Sequence, residues 1–399
     1  MVKYILKRLF QSLITVLLVV SIVFMLLRMM PSDYFFTEEE LIKFTDSQKY
    51  AKLERLGLME ICQTCHGKGA LEDGSGCPDC KLSVQDALGT GYVGRNVFSQ
   101  LFDFYKDMLE MRVYNAKGKE VKSIDPVNFF TYLSQKSSGI DPFNGKLKEG
   151  YTAKATFNLG KSIRLEKNQY VTDVIATKMT ASMRISIISL ILSLILGVVL
   201  GVLQARYKDG VFDHIGTGYT VIVNAVPHLV IYTVIMIAGS ALFGLPMRYD
   251  ATANKPYLTM VLPVVCLSIG STAGYMLWTR RYMVDELNKD YIRLAKLKGL
   301  DDRRVMFRHV LKNAFVPLAQ YLPYSILLTV GGSLLVETFF SVPGMGPELT
   351  KAISRYDLNL VQGIVLLYAT LGILGVFLGD LLMTMIDPRI KLTGKEGVR

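Results

Sequence analysis

The chain has 399 residues, 51% of them hydrophobic and 20% charged, with a formal net charge of +11 and a mean hydropathy of +0.32. Apolar and polar residues in those proportions have to be segregated along the chain rather than mixed over one soluble surface. No G-x-x-x-x-G-K-[ST] sequence occurs, so the chain itself holds no nucleotide in a P-loop. The basic excess sits in loops beside apolar runs, and no nucleic-acid partner is expected.

Runs long enough to cross a bilayer, about 20 residues each, fall near Leu9–Met30, Ala181–Ala205, Ile215–Phe243, Leu258–Trp278, Pro317–Phe340 and Leu360–Ile386. The expected fold is an all-α polytopic membrane protein with six transmembrane helices. Residues 1–30 form the first helix. Residues 31–177 form a small α/β or mixed extracytoplasmic domain inserted between helices 1 and 2. A five-helix core follows over 178–388, and 389–399 is a cytoplasmic tail. Lys3, Lys7 and Arg8 hold the N-terminus inside, as do Arg206 and Lys208 for the next inner loop and Arg389, Lys391, Lys395 and Arg399 for the C-terminus. The first run outlasts a signal-peptide h-region and no A-x-A-like site follows, so it reads as a retained span. Arg28 would snorkel to the interface.

Plausible helices in the outer segment are Glu38–Leu56 and Phe98–Arg112. Between them stand Cys62-Gln-Thr-Cys65-His-Gly-Lys-Gly69 and Cys77-Pro-Asp-Cys80, a C-x2-C-x11-C-x2-C spacing of the zinc-ribbon kind. Each C-x-x-C turn offers two thiolates to one tetrahedral ion, and His66 is a spare ligand. Two other readings stay open: disulfides, favoured by an oxidising extracytoplasmic space, and a redox pair. Cys266, inside the fourth run, behaves as a small apolar residue.

In the second run Ser189, Ser193, Gly197 and Gly201 place a small residue at every fourth position, which lets helix backbones pack closely in lipid. Pro227 and Pro263 permit bends in the third and fourth runs. Arg280–Lys312 holds ten Lys/Arg against five Asp/Glu, about half of the net charge, and stays cytoplasmic under the positive-inside rule. Within the cytoplasmic loop 280–316, Ala295 and Gly299 share one helical face, where small side chains admit a partner's surface. Gly299 suits a helix C-terminus, and Asp301 or Asp302 the N-cap of a second helix. Trp278 falls at the cytoplasmic interface beside Arg280. In the fifth run, Glu337 is a carboxylate in apolar surroundings, which marks either a pathway position or a cap for the turn-forming Ser341-Val-Pro-Gly-Met-Gly-Pro347. Asp380 lies deep in the sixth run and needs a buried partner.

Several of these segments together resemble one family. Tyr4-Ile-Leu-Lys-Arg8 through Pro31-Ser-Asp33 resembles the opening of the OppB/DppB branch of ABC permeases, which import oligopeptides, dipeptides and, in relatives, nickel chelates or glutathione. Asn158-Leu-Gly-Lys-Ser162 with Val171–Ile175 resembles its lead-in to the second helix. Asp290–Leu300 with Arg303-Arg304 and Arg308-His309 resembles its coupling ("EAA") loop, although the Glu and first Ala of that pattern are Arg293 and Leu294 here. Gly332–Gly346, Asp380 and Asp387-Pro388-Arg389 resemble its later signatures. The first cysteine pair is also similar to the C-x-x-C-x-G-x-G knuckle of DnaJ-type chaperones.

The resemblance implies an ABC type I importer permease architecture with no catalysis of its own. The implied partners are a second homologous permease subunit, two ATP-binding subunits and an extracytoplasmic substrate-binding protein, all at a bacterial cytoplasmic membrane. It implies ATPase coupling through Tyr291, Ala295, Gly299, Leu300, Arg303 and Arg304. It implies pathway or gate positions at Glu337, Pro343, Gly344, Gly346 and Asp380. It says nothing of the four cysteines, which lie in a segment much longer than the family's. Rival readings are a membrane receptor or assembly platform with an outer sensing domain, and an ion-coupled carrier, for which internal repeats would be expected.

Overall fold

The computed structural model describes residues 2–72, 75–80, 90–121, 123–143 and 150–386. Asp387-Pro388-Arg389 and the tail 389–399 lie outside the described residues. The chain divides into two compact units. One comprises Met1–Leu18, Ile175–Lys351 and Ile364–Arg399, and the other Val19–Val174 with Ala352–Gly363.

The helices in chain order are α1 (Val2–Arg28), α2 (Glu38–Lys43), α3 (Asp46–Arg55), α4 (Val97–Asp107), α5 (Phe129–Ser137), α6 (Val171–Arg206), α7 (Val211–Ala225), α8 (His228–Phe243), α9 (Pro256–Leu287), α10 (Asp290–Leu297), α11 (Asp302–Arg304), α12 (Lys312–Thr329), α13 (Leu334–Phe339), α14 (Met345–Ser354) and α15 (Leu358–Ile386). Among the described residues five helical stretches are long and apolar enough to cross a membrane, or six if the bent pair α7–α8 counts as one span. That makes the chain a multi-pass membrane protein. The third expected span is this pair, bent by 110°. Pro227 has no N–H to continue the ladder, so α7 ends at Ala225 and α8 starts afresh behind the proline. The fifth expected span is also broken, because Gly331-Gly332 separate α12 from α13.

In the first unit the small-residue stripe of α6 packs on α9. A Cβ at Gly197 would stand 2.5 Å from Tyr275, and one at Gly201 2.6 Å from Thr279. The Ser189 and Ser268 hydroxyls meet at 3.0 Å across the same seam. Larger residues would push the helices apart, so close approach explains the stripe.

The second unit is mixed. Strands β1 (Met59–Ile61) and β2 (Tyr92–Gly94) pair antiparallel, and β3 (Leu109–Tyr114) is flanked by β4 (Val127–Asn128) and β5 (Thr152–Phe157) in an antiparallel sheet. Both expected helices here are shorter than the pattern suggested. Thr45 starts a new helix inside Glu38–Leu56, its backbone N–H donating to Gln48 at 3.0 Å. The helix expected over Phe98–Arg112 stops at Asp107, because residues 109–114 instead pair along their whole length with β5. Asp357 is buried and collects the Ser162 hydroxyl at 2.5 Å and the Arg164 and Leu165 amides at 2.9 Å, which holds the 162–165 turn against the start of α15.

Candidate functional site

The coupling segment forms the helix–turn–helix read from its sequence. Gly299 has φ +76°, a conformation costly for any residue with a Cβ. The Leu300 N–H reaches back to the Ala295 carbonyl at 3.3 Å, closing α10 in a Schellman-type turn. Asp301 caps α11, accepting the Arg303 N–H at 3.2 Å. A π-helical turn, Val305–Leu311, then leads into α12.

One residue of this segment is placed differently from what its spacing suggests. Ala295 does not offer its small face outward: it is 8% exposed and packs with Val202, Met283, Ile292 and Val305 in the chain's own core. The amphipathic pattern of α10 aims Ile292 and Ala295 inward, so the surface open to a partner is Tyr291, Leu294 and Leu297, with Gly299, Arg303 and Arg304 beside it. Leu300 is half-buried against the same core. Tyr291 anchors the segment. Its hydroxyl donates to Glu286 and accepts from Asn313 Nδ2 at 2.7 Å, joining the ends of α9, α10 and α12. Burial, and then the Glu286 carboxylate, pushes the Tyr291 phenol up to about 12.

Glu337 on α13 is fully buried. Its carboxylate accepts the Ser333 N–H at 3.1 Å and the Gly346 N–H at 3.0 Å, and also bonds the Ser182 side chain. Ser182 in turn accepts the Met345 N–H at 2.9 Å. One side chain thus ties together α6, the turn before α13 and the first turn of α14. The glycines of this signature are cleared for it. A Cβ at Gly332 or Gly344 would collide with the Glu337 carboxylate, and one at Gly346 would lie 2.6 Å from the Leu334 Cα. Pro343 is exposed at the tip of the loop. Asp380, whose partner the sequence did not name, pairs with Arg8 Nη1 at 3.3 Å and accepts from Gln320 Nε2 at 3.0 Å.

Next to this loop, in the same unit, lies a cavity of about 980 Å³ walled by α6, α9, α12, Val376 of α15 and the Gly332-Ser333 turn. Its polar lining consists of hydroxyls, rings and the Gln320 amide, among them Ser189, Ser271, Tyr275, Trp278, Tyr321 and Ser325, and none of its described lining residues is Asp, Glu, Lys, Arg or His. Neither Glu337 nor Asp380 is among them. Sequence reasoning missed this wall, since scattered Ser and Tyr in apolar helices give no motif. It also missed the fork between Arg280 and Asp213, with Nε and Nη2 at 2.5 and 2.6 Å from the two carboxylate oxygens.

In the second unit Cys62, Cys65, Cys77 and Cys80 converge. All four are buried, and their sulfurs lie within 4.8 Å of one another. The Cys62–Cys77 and Cys65–Cys80 sulfurs are each 3.7 Å apart. Four sulfurs at about 2.3 Å from a tetrahedral ion would be about 3.8 Å apart, so the set fits zinc. Backbone N–H groups of Gly69 and Gly91 reach the Cys65 and Cys80 sulfurs at 3.3 and 3.4 Å, as donors do around bound thiolates. The Cys65 amide pulls the Cys62 thiol down to about 7, while burial pushes Cys80 up to about 12. His66 points to solvent and takes no part.

Residues 197–392 match the family of binding-protein-dependent transport system inner membrane components. Among similar proteins, the oligopeptide transport system permease protein AmiC of Streptococcus pneumoniae is 34% identical over 57% of this chain and 45% of its own length. The dipeptide transport system permease protein DppB of Bacillus subtilis is 31% identical over 60% of this chain and 77% of its own length. The oligopeptide transport system permease protein OppB of Haemophilus influenzae is 30% identical over 56% of this chain and 73% of its own length. The chain therefore spans less than half of AmiC. It belongs to the inner-membrane component family of binding-protein-dependent transport systems, as a permease of the OppB/DppB type. Members of that family are transporter permeases rather than catalytic subunits.

Proposed function

We propose that this chain is the permease subunit of an ATP-driven importer of short peptides and forms half of the translocation pathway. The observation that carries the reading is the cavity of about 980 Å³, whose described lining of hydroxyls, aromatic rings and one amide bears no side chain charged at neutral pH. Such a wall offers hydrogen bonds to peptide main chain and holds no fixed charge that would trap a substrate of either sign. The names of the relatives favour peptides over the chelates and glutathione handled elsewhere in the branch. Glu337, Gly344, Gly346 and Pro343 shape the wall of that pathway instead of touching substrate, since the carboxylate is already committed to the loop. Asp380 holds α15 and α12 together behind it.

The remaining parts of the system lie in other chains: a second homologous permease, two ATP-binding subunits and an extracytoplasmic binding protein. The ATP-binding subunit docks on Tyr291, Leu294, Leu297 and Gly299, with Arg303 and Arg304 at the rim. Both termini are cytoplasmic and residues 31–177 face outward, in line with the basic short loops. A structural zinc ion on the four cysteines stiffens a Gly-rich loop with little core of its own. Its closed set of sulfurs leaves no position for a reactive water.

The deciding experiment reconstitutes the complex in vesicles and follows ATP-dependent uptake of labelled di- and oligopeptides. Uptake that needs the ATP-binding subunits supports the reading. Uptake driven by an ion gradient in their absence would overturn it.

A further inference from the structure

The outer end of α1 is not solvated on all sides. The Ser21 hydroxyl meets the Tyr105 hydroxyl of α4 at 2.9 Å. The Phe24 and Phe104 rings pack with centroids 5.1 Å apart. Ser21 lies seven residues before Arg28, where α1 ends, so this contact is about 10 Å inside the end of the helix at a rise of 1.5 Å per residue. A helix that crosses the bilayer is at acyl-chain depth there. An element that reaches Ser21 and Phe24 from the side must share that depth.

α4 is built for such a place. Phe98, Leu101, Phe102 and Tyr105 recur at helical spacing on one stripe. The stripe meets α1 at Tyr105, and its other end is bare: Phe98 and Phe102 are each 69% exposed. The opposite face is polar, with Asp103 held by Arg95 at 2.6 Å and Asp107 exposed. α1 itself leaves Ile22 and Leu26 exposed at the same depth, on its side turned away from α4, residues that face lipid in a membrane-crossing helix.

We propose that α4 is an interfacial helix, lying in the leaflet at the Arg28 end of α1 with Phe98 and Phe102 buried among the lipid acyl chains. The inserted domain is then seated on the membrane by its own helix, and Lys106, exposed on the flank of α4, reaches the headgroup phosphates. Two rings and their neighbouring methylenes leave water without needing a protein partner. Water-facing aromatics at this position would instead be an aggregation liability.

The test places tryptophan at the stripe. Phe102→Trp and, separately, Phe98→Trp are made in the full-length chain and reconstituted into phosphatidylcholine vesicles, with and without bromine on the acyl chains. Emission beyond that of the native Trp278 is recorded. Loss of most of the added emission in brominated lipid, without a matching loss to aqueous iodide, is the expected result. Quenching by iodide but not by brominated lipid overturns the proposal, because the face then meets water. Insensitivity to both also overturns it, because a protein surface then covers the stripe, whether a second copy, a partner permease or a binding protein. Phe→Trp preserves an aromatic ring at each site, and two positions keep the measurement available should one variant fail to insert.

Discussion

The amide of Gly346 donates to the carboxylate of Glu337 across 3.0 Å, and this bond joins the last turn of a broken helix to the first turn of α14. Glu337 also receives the Ser333 amide, so both carboxylate oxygens face backbone donors. Glu337→Ala leaves the buried Gly346 N–H and the half-buried Ser333 N–H unpaired, the former at about 1–3 kcal/mol. Glu337→Gln keeps one acceptor and turns an amide NH₂ toward the other donor, so it should fall between. Thermal unfolding of the purified permease should rank wild type above Glu337→Gln above Glu337→Ala. A Glu337→Ala protein as stable as wild type, yet dead in transport, would return Glu337 to direct substrate contact.

Gly344 tests the same arrangement from the other side. It has no unusual φ, but a Cβ there would strike the Glu337 carboxylate and stand 2.5 Å from Ser182 Oγ. Gly344→Ala should cost about 1–3 kcal/mol through overpacking. Ser182→Gly, combined with it, should recover part of that loss. No recovery in the double variant would mean that strain elsewhere in the loop dominates.

Gly299 is demanding for a different reason. A Cβ there meets nothing within 4 Å, so space is not the constraint; φ +76° is. Gly299→Leu should strain the turn by about 1–2 kcal/mol and uncouple ATP hydrolysis from uptake. Gly299→Asn, which tolerates the left-handed region, should retain most coupling. Equal loss in both variants would show that the partner needs the bare backbone itself rather than the conformation.

Much of this was legible in the chain because the signals were local. Basic loops, six apolar runs, a glycine before a capping aspartate and two C-x-x-C turns each announce themselves within a few residues. What was not legible depends on partners far apart in sequence. Ala295 and Gly299 look alike as small residues on one helix, yet the first is inside and the second outside, because the core built by Val202, Met283 and Val305 decides which face of α10 is covered. Arg8 with Asp380, and Arg280 with Asp213, are pairs of the same kind. The truncation of the helix expected over Phe98–Arg112 is another, since residues 109–114 join a strand that begins at Thr152. The cavity wall is read from four separate helical segments and has no sequence signature.

Tyr291 gives a prediction with a pH sign. Its phenol is held up to about 12 from an ordinary value near 10. A group raised in the folded state adds stability that is fully present below 10 and is lost as pH rises toward 12. Tyr291→Phe removes the donor to Glu286, costing about 1–2 kcal/mol at neutral pH, and should flatten the alkaline fall in stability. Proteolysis of the 290–312 segment, followed at neutral and alkaline pH, reads both effects. Identical alkaline profiles for variant and wild type would place the titrating group elsewhere.

The last prediction concerns Cys62, Cys65, Cys77 and Cys80. Their 3.7 Å cross-pair sulfur spacing is too long for a covalent S–S bond and matches the edge of a four-sulfur zinc tetrahedron. The full-length protein, purified without added oxidant, should contain about one zinc per chain, with Zn–S distances of about 2.3 Å by X-ray absorption. Chelation should loosen the segment between β1 and β2 to protease, because the four sulfurs make up the buried centre there, with Leu71 and Val93 the hydrophobic residues packed against them among the described residues. Cys77→Ser should have the same effect without chelator, since losing one of four ligands opens the shell. His66→Ala should leave zinc content unchanged, because that ring faces solvent. Metal-free protein in which all four thiols are oxidised to two disulfides would establish the covalent reading instead. The same mass measurement distinguishes the two directly, by four hydrogens lost against one zinc gained.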